Sequence, residues 1–506
     1  MSSGAVGRIE RLLGSGFPGC ALLMGIGLFI FHLVVNRQYG FHGDELYFLD
    51  CGLHPDWGYV DHPPFTPLVA RVATSLFGIN LFAFRFFPAL SLALSCLLTG
   101  WLARRLGAGR IGEFLACFCF VMAPMITRVG AFLNIPSFEL TFWLVAAHLL
   151  VTIEIRNGGR WWLAFGAVCG LALLNKHTTL FLGTGVAVGL IMTHRRRDLQ
   201  TPWPWLGGVV ALLIFLPNLV WQYRNDWATL EFVRNINAEV MDSRLVFVLG
   251  QFVLMNLLSW CVLGAGLIFY FRDPVGRRHR MLAWIFVVVL VVLLILRSKV
   301  YYLLPAYPLL YAGGAVWLEQ RWIGFRGKVK RVALCAAMTG MWLLLLPIVA
   351  PIGTLEWKEA YSGRVLGDPT MLTFDFRFQI GRPEELATFK QICTGLTPEE
   401  RDKAVILTGE YDSVSTIHLL GKDLPPAISG SNSHYLWGPQ GNTADCMIVL
   451  GYEEEVLETC FGEIRRVGEL PRRNEAKDGS TTRPIYLCKK PTAPLEELWP
   501  RLKRYR

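Results

Sequence analysis

The sequence predicts a mostly α-helical, polytopic membrane protein of about eleven spanning helices, with a small extracytoplasmic α/β domain at its C-terminal end. Three observations predict it: too many apolar residues for a soluble chain, basic loops that all fall on one side, and a drop in hydropathy near Gly353. Of the 506 residues, 53% are hydrophobic and 17% charged, and the mean hydropathy is +0.40. Soluble domains run at about 45–50% apolar and about 25% charged, so the surplus must face lipid. A single soluble enzyme is excluded, as is a disordered or fibrous chain.

A helix needs about 20 mostly apolar residues to cross the hydrocarbon core. Candidate spans lie near 17–35, 84–103, 111–127, 138–155, 161–175, 177–193, 203–221, 246–271, 281–297, 301–319 and 332–351. The run from Phe17 to Val35 follows Arg8 and Arg11. It is too long for a signal-peptide core and has no small-x-small cleavage site after it, so it reads as the first membrane helix. The short spans on either side of Asn175-Lys176-His177 are compatible with one broken helix.

The loops support this count. Basic clusters occur at Arg104, Arg105 and Arg110, at Arg156 and Arg160, at Arg195, Arg196 and Arg197, at Arg272, Arg277, Arg278 and Arg280, and from Arg321 to Arg331. With eleven spans all five fall on one side, and the positive-inside rule makes that side cytoplasmic. The N-terminus is then inside and the tail outside. The same rule accounts for the net charge of +10 without a nucleic-acid partner.

The opposite loops carry the polar chemistry. The first, about 36–83, holds Asp44, Glu45, Asp50, Asp56 and Asp61 with His42, His54 and His62. Two domains follow: a transmembrane core over 1–352 that includes the external loop 36–83, and a soluble domain over 353–506. In the tail, Val405–Leu407, Cys446–Leu450 and Ile485–Cys488 read as strands. Pro383-Glu384-Glu385 and Thr397-Pro398-Glu399-Glu400 read as helix starts, with proline first and acids in the first turn. Of the twelve cysteines, Cys393, Cys446, Cys460 and Cys488 lie in the tail. An oxidising compartment allows one or two disulfides there, and buried free thiols are the alternative. No C-x-x-C is present, which excludes zinc ribbons and thioredoxin-like motifs.

Chemistry concentrates in a few motifs. Phe41-His42-Gly43-Asp44-Glu45-Leu46-Tyr47 puts two adjacent carboxylates just outside the first membrane helix. A carboxylate there can deprotonate an acceptor hydroxyl or bind a metal. Gly58-Tyr59-Val60-Asp61-His62-Pro63-Pro64 follows. Glu139 sits at the outer end of the fourth span. Arg85, Arg128, Lys176 and Lys299 are cations on the external side, against the usual bias, and a phosphate ligand would explain them. There is no Walker A, no G-x-G-x-x-G opening a helix, no H-E-x-x-H and no G-x-S-x-G, so nucleotide use has no support.

Six motifs in order resemble the polyprenyl-phosphate-dependent membrane glycosyltransferases of the GT-C fold. The nearest are bacterial relatives of dolichyl-phosphate-mannose protein mannosyltransferases and of the lipid A aminoarabinose transferase. The motifs are His42–Tyr47, Gly58–Pro64, Phe138–Trp143, Leu173–His177, Pro217–Tyr223 and Lys299–Pro305. Asn432–Pro439 in the tail has a similar look. The resemblance implies transfer of a sugar from a lipid-linked phosphate donor to an acceptor hydroxyl on a cell-surface glycan, a glycolipid such as lipid A, or a protein. It implies Asp44 as the catalytic carboxylate with Glu45 in support. Arg85, Lys176, Lys299, Tyr301 and Tyr302 would neutralise the donor phosphate. Tyr59, Asp61, His62 and Glu139 would contact substrate. Glu139 stands where relatives often carry Asp. Metal dependence varies among relatives, so a divalent cation (Mg or Mn) at Asp44 and Glu139 is an option rather than a requirement. A flippase of lipid-linked sugars is the rival from another class, but its polar residues should lie near the bilayer midplane. A non-catalytic scaffold is the third reading, on which Asp44→Asn would change nothing.

Overall fold

The computed structural model describes residues 18–239, 243–370, 372–472 and 481–505. Arg8 and Arg11, which bear on the leader question, lie outside the described residues. The chain divides into two compact units. The first comprises 1–37, 82–220 and 240–353; the second comprises 38–81, 221–239 and 354–506. This differs from the sequence-based division at 352/353, because the loop 38–81 groups with the tail.

The first unit is helical, and every expected span coincides with apolar helix. Among the described residues, four helices are long and apolar enough to cross a membrane: Leu81–Arg105, Ile135–Arg156, Trp203–Arg224 and Gly324–Val349. A fifth span results if Arg244–Leu254 and Leu257–Arg272, bent by 89°, count as one. The remaining spans are shorter or broken. The run near 111–127 splits into Arg110–Val121 and Pro124–Val129, since a proline cannot continue the helical ladder. The span near 301–319 opens as a 3-10 turn, Val300–Ala306, before Tyr307–Arg321. The 89° bend falls at Asn256, whose φ is +65° and whose buried Nδ2 donates to Met122 O at 3.1 Å and Met338 O at 3.0 Å. Trp161–Leu173 and Thr179–Ile191 are separate helices; the first packs on Ile135–Arg156 and the second on Met281–Ile295. Large apolar side chains such as Leu213, Leu245 and Phe325 lie exposed on the surface, as lipid-facing residues do.

The basic loops are tied together at one end of this unit. Arg195 donates to Asn157 Oδ1 at 2.9 Å, and Arg278 donates to Glu154 O at 2.9 Å. Glu319 accepts from the backbone of Gly109 at 2.6 Å and of Ile111 at 3.1 Å. Arg321 lies 4.0 Å from Asp273. These links join all five clusters that the span count puts on one side.

The second unit holds a five-stranded sheet: β1 Ala404–Thr408, β2 Ala427–Ser429, β3 Cys446–Leu450, β4 Phe461–Pro471 and β5 Thr482–Pro491, in the order β2-β1-β3-β5-β4. β1 runs parallel to β2 and β3, and β5 runs antiparallel to β3 and β4. Every residue of β1 and β3 is buried, so these strands read as continuous apolar runs rather than alternating ones. Val405 and Leu407 fill one core layer with Trp499 and Leu502; Ala404 and Ile406 fill the other with Phe389 and Ile417. Both expected helix starts are present. Arg382–Thr394 has Pro383 in its first turn, and Pro398–Asp402 carries a capping box between Thr397 and Glu400. The four tail cysteines are buried and unpaired, so free thiols replace the allowed disulfides. The loop contributes two helices, Gly43–Leu53 and Phe65–Phe77, and Gly43–Leu53 packs on Tyr411–Leu420 of the tail.

Candidate active site

The Gly43–Leu53 helix begins with a reciprocal cap. His42 Nδ1 accepts the Asp44 N–H at 3.0 Å, and Glu45 Oε2 accepts the His42 N–H at 2.8 Å. Such a cap satisfies two backbone donors that the helix start leaves over. Glu45 is fully buried in this role. The two adjacent carboxylates therefore divide: Glu45 builds the helix, and Asp44 keeps 35% of its side chain exposed. Gly43 leaves no room for a side chain, since a Cβ there would lie 2.5 Å from Arg382 Nη2 and 2.7 Å from Asp412 Cβ. Arg382 and Asp412 form a buried ion pair at 2.5 Å.

Tyr411, from the tail, donates to Asp44 Oδ1 at 2.9 Å. Burial pushes the Asp44 carboxyl above the usual carboxylate range. His42 and Tyr411 pull against that shift, and Asp375 and Asp61 add to it. A raised carboxyl next to a hydroxyl donor is suited to taking a proton. Tyr411 was not legible in the sequence, because 367 positions separate it from Asp44 and no local spacing marks it.

Asp61 is held by the Tyr47 hydroxyl at 2.7 Å, and His62 Nε2 stands 3.8 Å from it. Ser433 Oγ lies 2.9 Å from the same Tyr47 hydroxyl and accepts the Val60 N–H at 3.1 Å. Tyr59 is buried and donates to Cys51 O at 2.7 Å, so its hydroxyl staples the loop. His62 is also buried, with Nδ1 3.0 Å from Pro63 O.

The first unit holds the other sequence-predicted residues. Glu139, buried on the Ile135–Arg156 helix, meets Lys176 Nζ at 3.0 Å and accepts the Thr178 hydroxyl at 2.6 Å. Lys176 Nζ lies 4.2 Å from the ring centre of Tyr302 and 5.1 Å from that of Tyr301. Four predicted residues thus share one cluster around one ammonium. Rings at that distance stabilise a cation and leave its remaining donors free in direction. Lys299, exposed, precedes the Val300–Ala306 turn that carries both tyrosines. Arg85 is buried and donates to Asn36 O, and Arg128 is buried in Pro124–Val129. The metal pair considered from sequence, Asp44 and Glu139, is split between the two units, and Glu139 is already committed to Lys176 and Thr178.

Three comparisons bear on this chain. Residues 61–221 match the family model described as dolichyl-phosphate-mannose-protein mannosyltransferase. The undecaprenyl phosphate-alpha-4-amino-4-deoxy-L-arabinose arabinosyl transferase of Erwinia tasmaniensis is 30% identical over 168 residues, 32% of this chain and 28% of that protein. The lipid A galacturonosyltransferase RgtD of Rhizobium johnstonii is 25% identical over 223 residues, 43% of this chain and 46% of that protein. The chain thus spans under half the length of these two relatives. ArnT from Cupriavidus metallidurans bound to undecaprenyl phosphate superposes with a TM-score of 0.63 at 18% identity, covering 92% of this chain and 97% of that one. Its apo state gives 0.61 at 17% identity, over 96% and 98%. The expected GT-C-like membrane architecture with a small C-terminal sheet domain is borne out by this likeness.

Proposed function

We propose that this chain is a membrane glycosyltransferase that moves a sugar from a polyprenyl-phosphate-linked donor to a hydroxyl of a cell-surface glycan or glycolipid, such as lipid A. The observation that carries the reading is the Asp44 carboxylate, partly open, set at a helix start and held by Tyr411. The names of the matched relatives support it, since they transfer sugars and two of them are named for undecaprenyl phosphate or lipid A.

The acceptor oxygen attacks the anomeric carbon as the bond from that carbon to the phosphate oxygen breaks. The acceptor proton passes to Asp44, and polyprenyl phosphate leaves with the bonding pair. The sugar carbon gains oxocarbenium character, which a carboxylate also stabilises. The leaving phosphate needs a preorganised cation. Lys176 is the candidate for that role, with Tyr301 and Tyr302 holding its ammonium. Arg85 and Lys299 are further candidates in the same unit. In this reading the basic loops face the cytoplasm of a bacterial inner membrane, and Asp44 and the tail face outward. Asp61, His62 and Tyr59 order the loop of the second unit that carries Asp44, and Glu139 holds Lys176 in the first.

Turnover decides this. Purified protein in nanodiscs is offered labelled polyprenyl-phosphate sugars with lipid A or with envelope protein as acceptor. Wild type should release polyprenyl phosphate, and Asp44→Asn should lose about 100-fold or more, the scale of general-base removal. Label in protein rather than glycolipid would favour a protein acceptor, the reading to which the matched family model points. Equal turnover by both forms would remove Asp44 from the chemistry. No turnover with any donor would make lipid-linked sugar transport the next test.

A further inference from the structure

We infer that Asp50, His418 and His434 form a binding site for a zinc-type divalent cation in the second unit. Asp50 lies in the Gly43–Leu53 helix, His418 in Tyr411–Leu420 and His434 in Asn432–Trp437. One ligand atom from each lies within 4.8 Å of the other two. His418 Nδ1 and His434 Nε2 approach the same oxygen, Asp50 Oδ2, at 2.8 Å and 2.9 Å. Asp50 and His434 are buried, and His418 is 21% exposed at its side chain.

The protons sharpen the argument. His418 Nε2 lies 2.9 Å from Ala427 O. A carbonyl only accepts, so Nε2 carries a proton. In the neutral ring Nδ1 is then a bare lone pair, and it faces a carboxylate oxygen at 2.8 Å. Two lone pairs at that distance repel, so either a proton or a metal ion stands between them. An anchored second nitrogen is also what a ligating histidine usually has. Two imidazoles and one carboxylate, with water in the fourth position, make a familiar zinc donor set. Magnesium is a poor fit, because it prefers oxygen ligands. Zinc–ligand distances of about 2.0–2.1 Å put tetrahedral donors about 3.3–3.4 Å apart, so each side chain shifts by a few tenths of an ångström. His54, half-exposed, stands beside the cluster with Nδ1 3.7 Å from Asp50 Oδ1, on the side open to solvent. His434 Nδ1 has no hydrogen-bond partner among the described residues, so His434 is the less anchored of the two imidazoles. The ion would fasten the helix that begins at Gly43 to two helices of the tail. The inference holds whichever donor or acceptor is used.

The competing occupant is a proton: an imidazolium at His418 satisfies the same geometry. Metal content separates the two. Tag-free full-length protein in detergent is stripped with EDTA, dialysed and titrated with zinc, and bound metal is counted by mass spectrometry. Wild type should hold about one zinc per chain, with its thermal transition raised. His418→Ala should bind at least about tenfold more weakly and show no such rise. Cobalt in place of zinc should give the visible bands of a tetrahedral site in wild type alone. No stoichiometric zinc in wild type would overturn the site in favour of the proton. Equal binding by wild type and variant would overturn it by putting the ion elsewhere. If the variant does not fold, zinc-edge absorption of the wild type decides: two imidazoles and a carboxylate support the site, and sulfur or all-oxygen ligation overturns it.

Discussion

Asp44 and Tyr411 make a pair whose effect on pH dependence has a definite sign. Burial raises the Asp44 pKa, and the Tyr411 hydroxyl favours the ionised form. If Asp44 is the general base proposed above, it works above its pKa, so Tyr411→Phe should move the acid limb of kcat/KM to higher pH. A hydrogen bond to a charged group is worth about 1.5 kcal/mol at the low end, so the loss at neutral pH should be up to about tenfold. A pH–rate profile of the variant checks this; an unmoved acid limb would mean that Tyr411 only packs. For stability the sign is that of a raised acid: folding favours the protonated form, so Asp44's contribution is greatest below its unfolded pKa and falls as pH rises through the folded one. The Glu139–Lys176 pair behaves differently. If Lys176 meets the donor phosphate, Glu139 competes for it. Glu139→Gln should then lower the KM for donor, and Lys176→Met should raise it about tenfold or more, at a further cost of about 3–5 kcal/mol for the carboxylate left buried and alone. Initial rates at varied donor concentration, with a thermal melt for each variant, separate binding from folding. None of these partners was readable from spacing. Glu139 stood out as a lone acid near a helix end, but nothing local ties position 139 to 176 and 178.

At the scale of single elements, the Gly43–Leu53 helix gives the clearest test of which carboxylate does what. Glu45 is buried and accepts a backbone N–H at the helix start. Glu45→Gln keeps an acceptor in place, so activity should stay within a few-fold of wild type. Glu45→Ala removes one half of the reciprocal cap and should cost about 1 kcal/mol, with up to about 2 at the high end. A catalytic Glu45 would instead lose about 100-fold on the Gln change, as Asp44 should. Kinetics and melting of the two variants side by side settle it. The tail shows which elements a sequence displays. β1, β3 and β5 appear as apolar runs at 405–407, 446–450 and 485–488, because both sheet faces are covered. β4 did not appear, because it is an edge strand whose side chains, Glu463, Arg465 and Arg466 among them, lie largely in solvent. In the membrane unit hydropathy found each apolar segment but not where it breaks. Asn256 turns the chain by hydrogen bonds to residues 134 and 82 positions away, and no window of sequence contains that information.

The whole molecule is assembled from interleaved stretches, and this governs how it should respond to cutting. The second unit takes 38–81 and 221–239 from between membrane segments and joins them to 354–506. The joints are specific: Trp221 donates to Asp56 Oδ2 at 2.7 Å, Thr229 Oγ1 donates to Tyr59 O at 3.3 Å, and Lys503 pairs with Glu231 at 2.7 Å. Asn235 donates to Tyr505 O at 2.9 Å, and Tyr505 packs with Val60 and Ala228. The two layers of the sheet core, by contrast, draw all their buried residues from Phe389 to Leu502. The dependence should therefore run one way. Residues 354–506 expressed alone should give a sheet with a cooperative thermal transition by circular dichroism. The four buried thiols form no disulfide, so a reductant should leave that transition unchanged. The chain cut after 353 should still insert in membranes, but its loop 38–81 loses the Tyr411, His418, Ser433 and His434 contacts that hold its first helix. Limited proteolysis of that truncated form should cleave within 38–81 at least about tenfold faster than in the full chain, and turnover should vanish although every residue from Gly43 to Leu53 is present. A loop equally resistant in both forms would mean that the membrane unit alone orders it, and that the tail is an addition to the fold rather than half of the unit that carries Asp44.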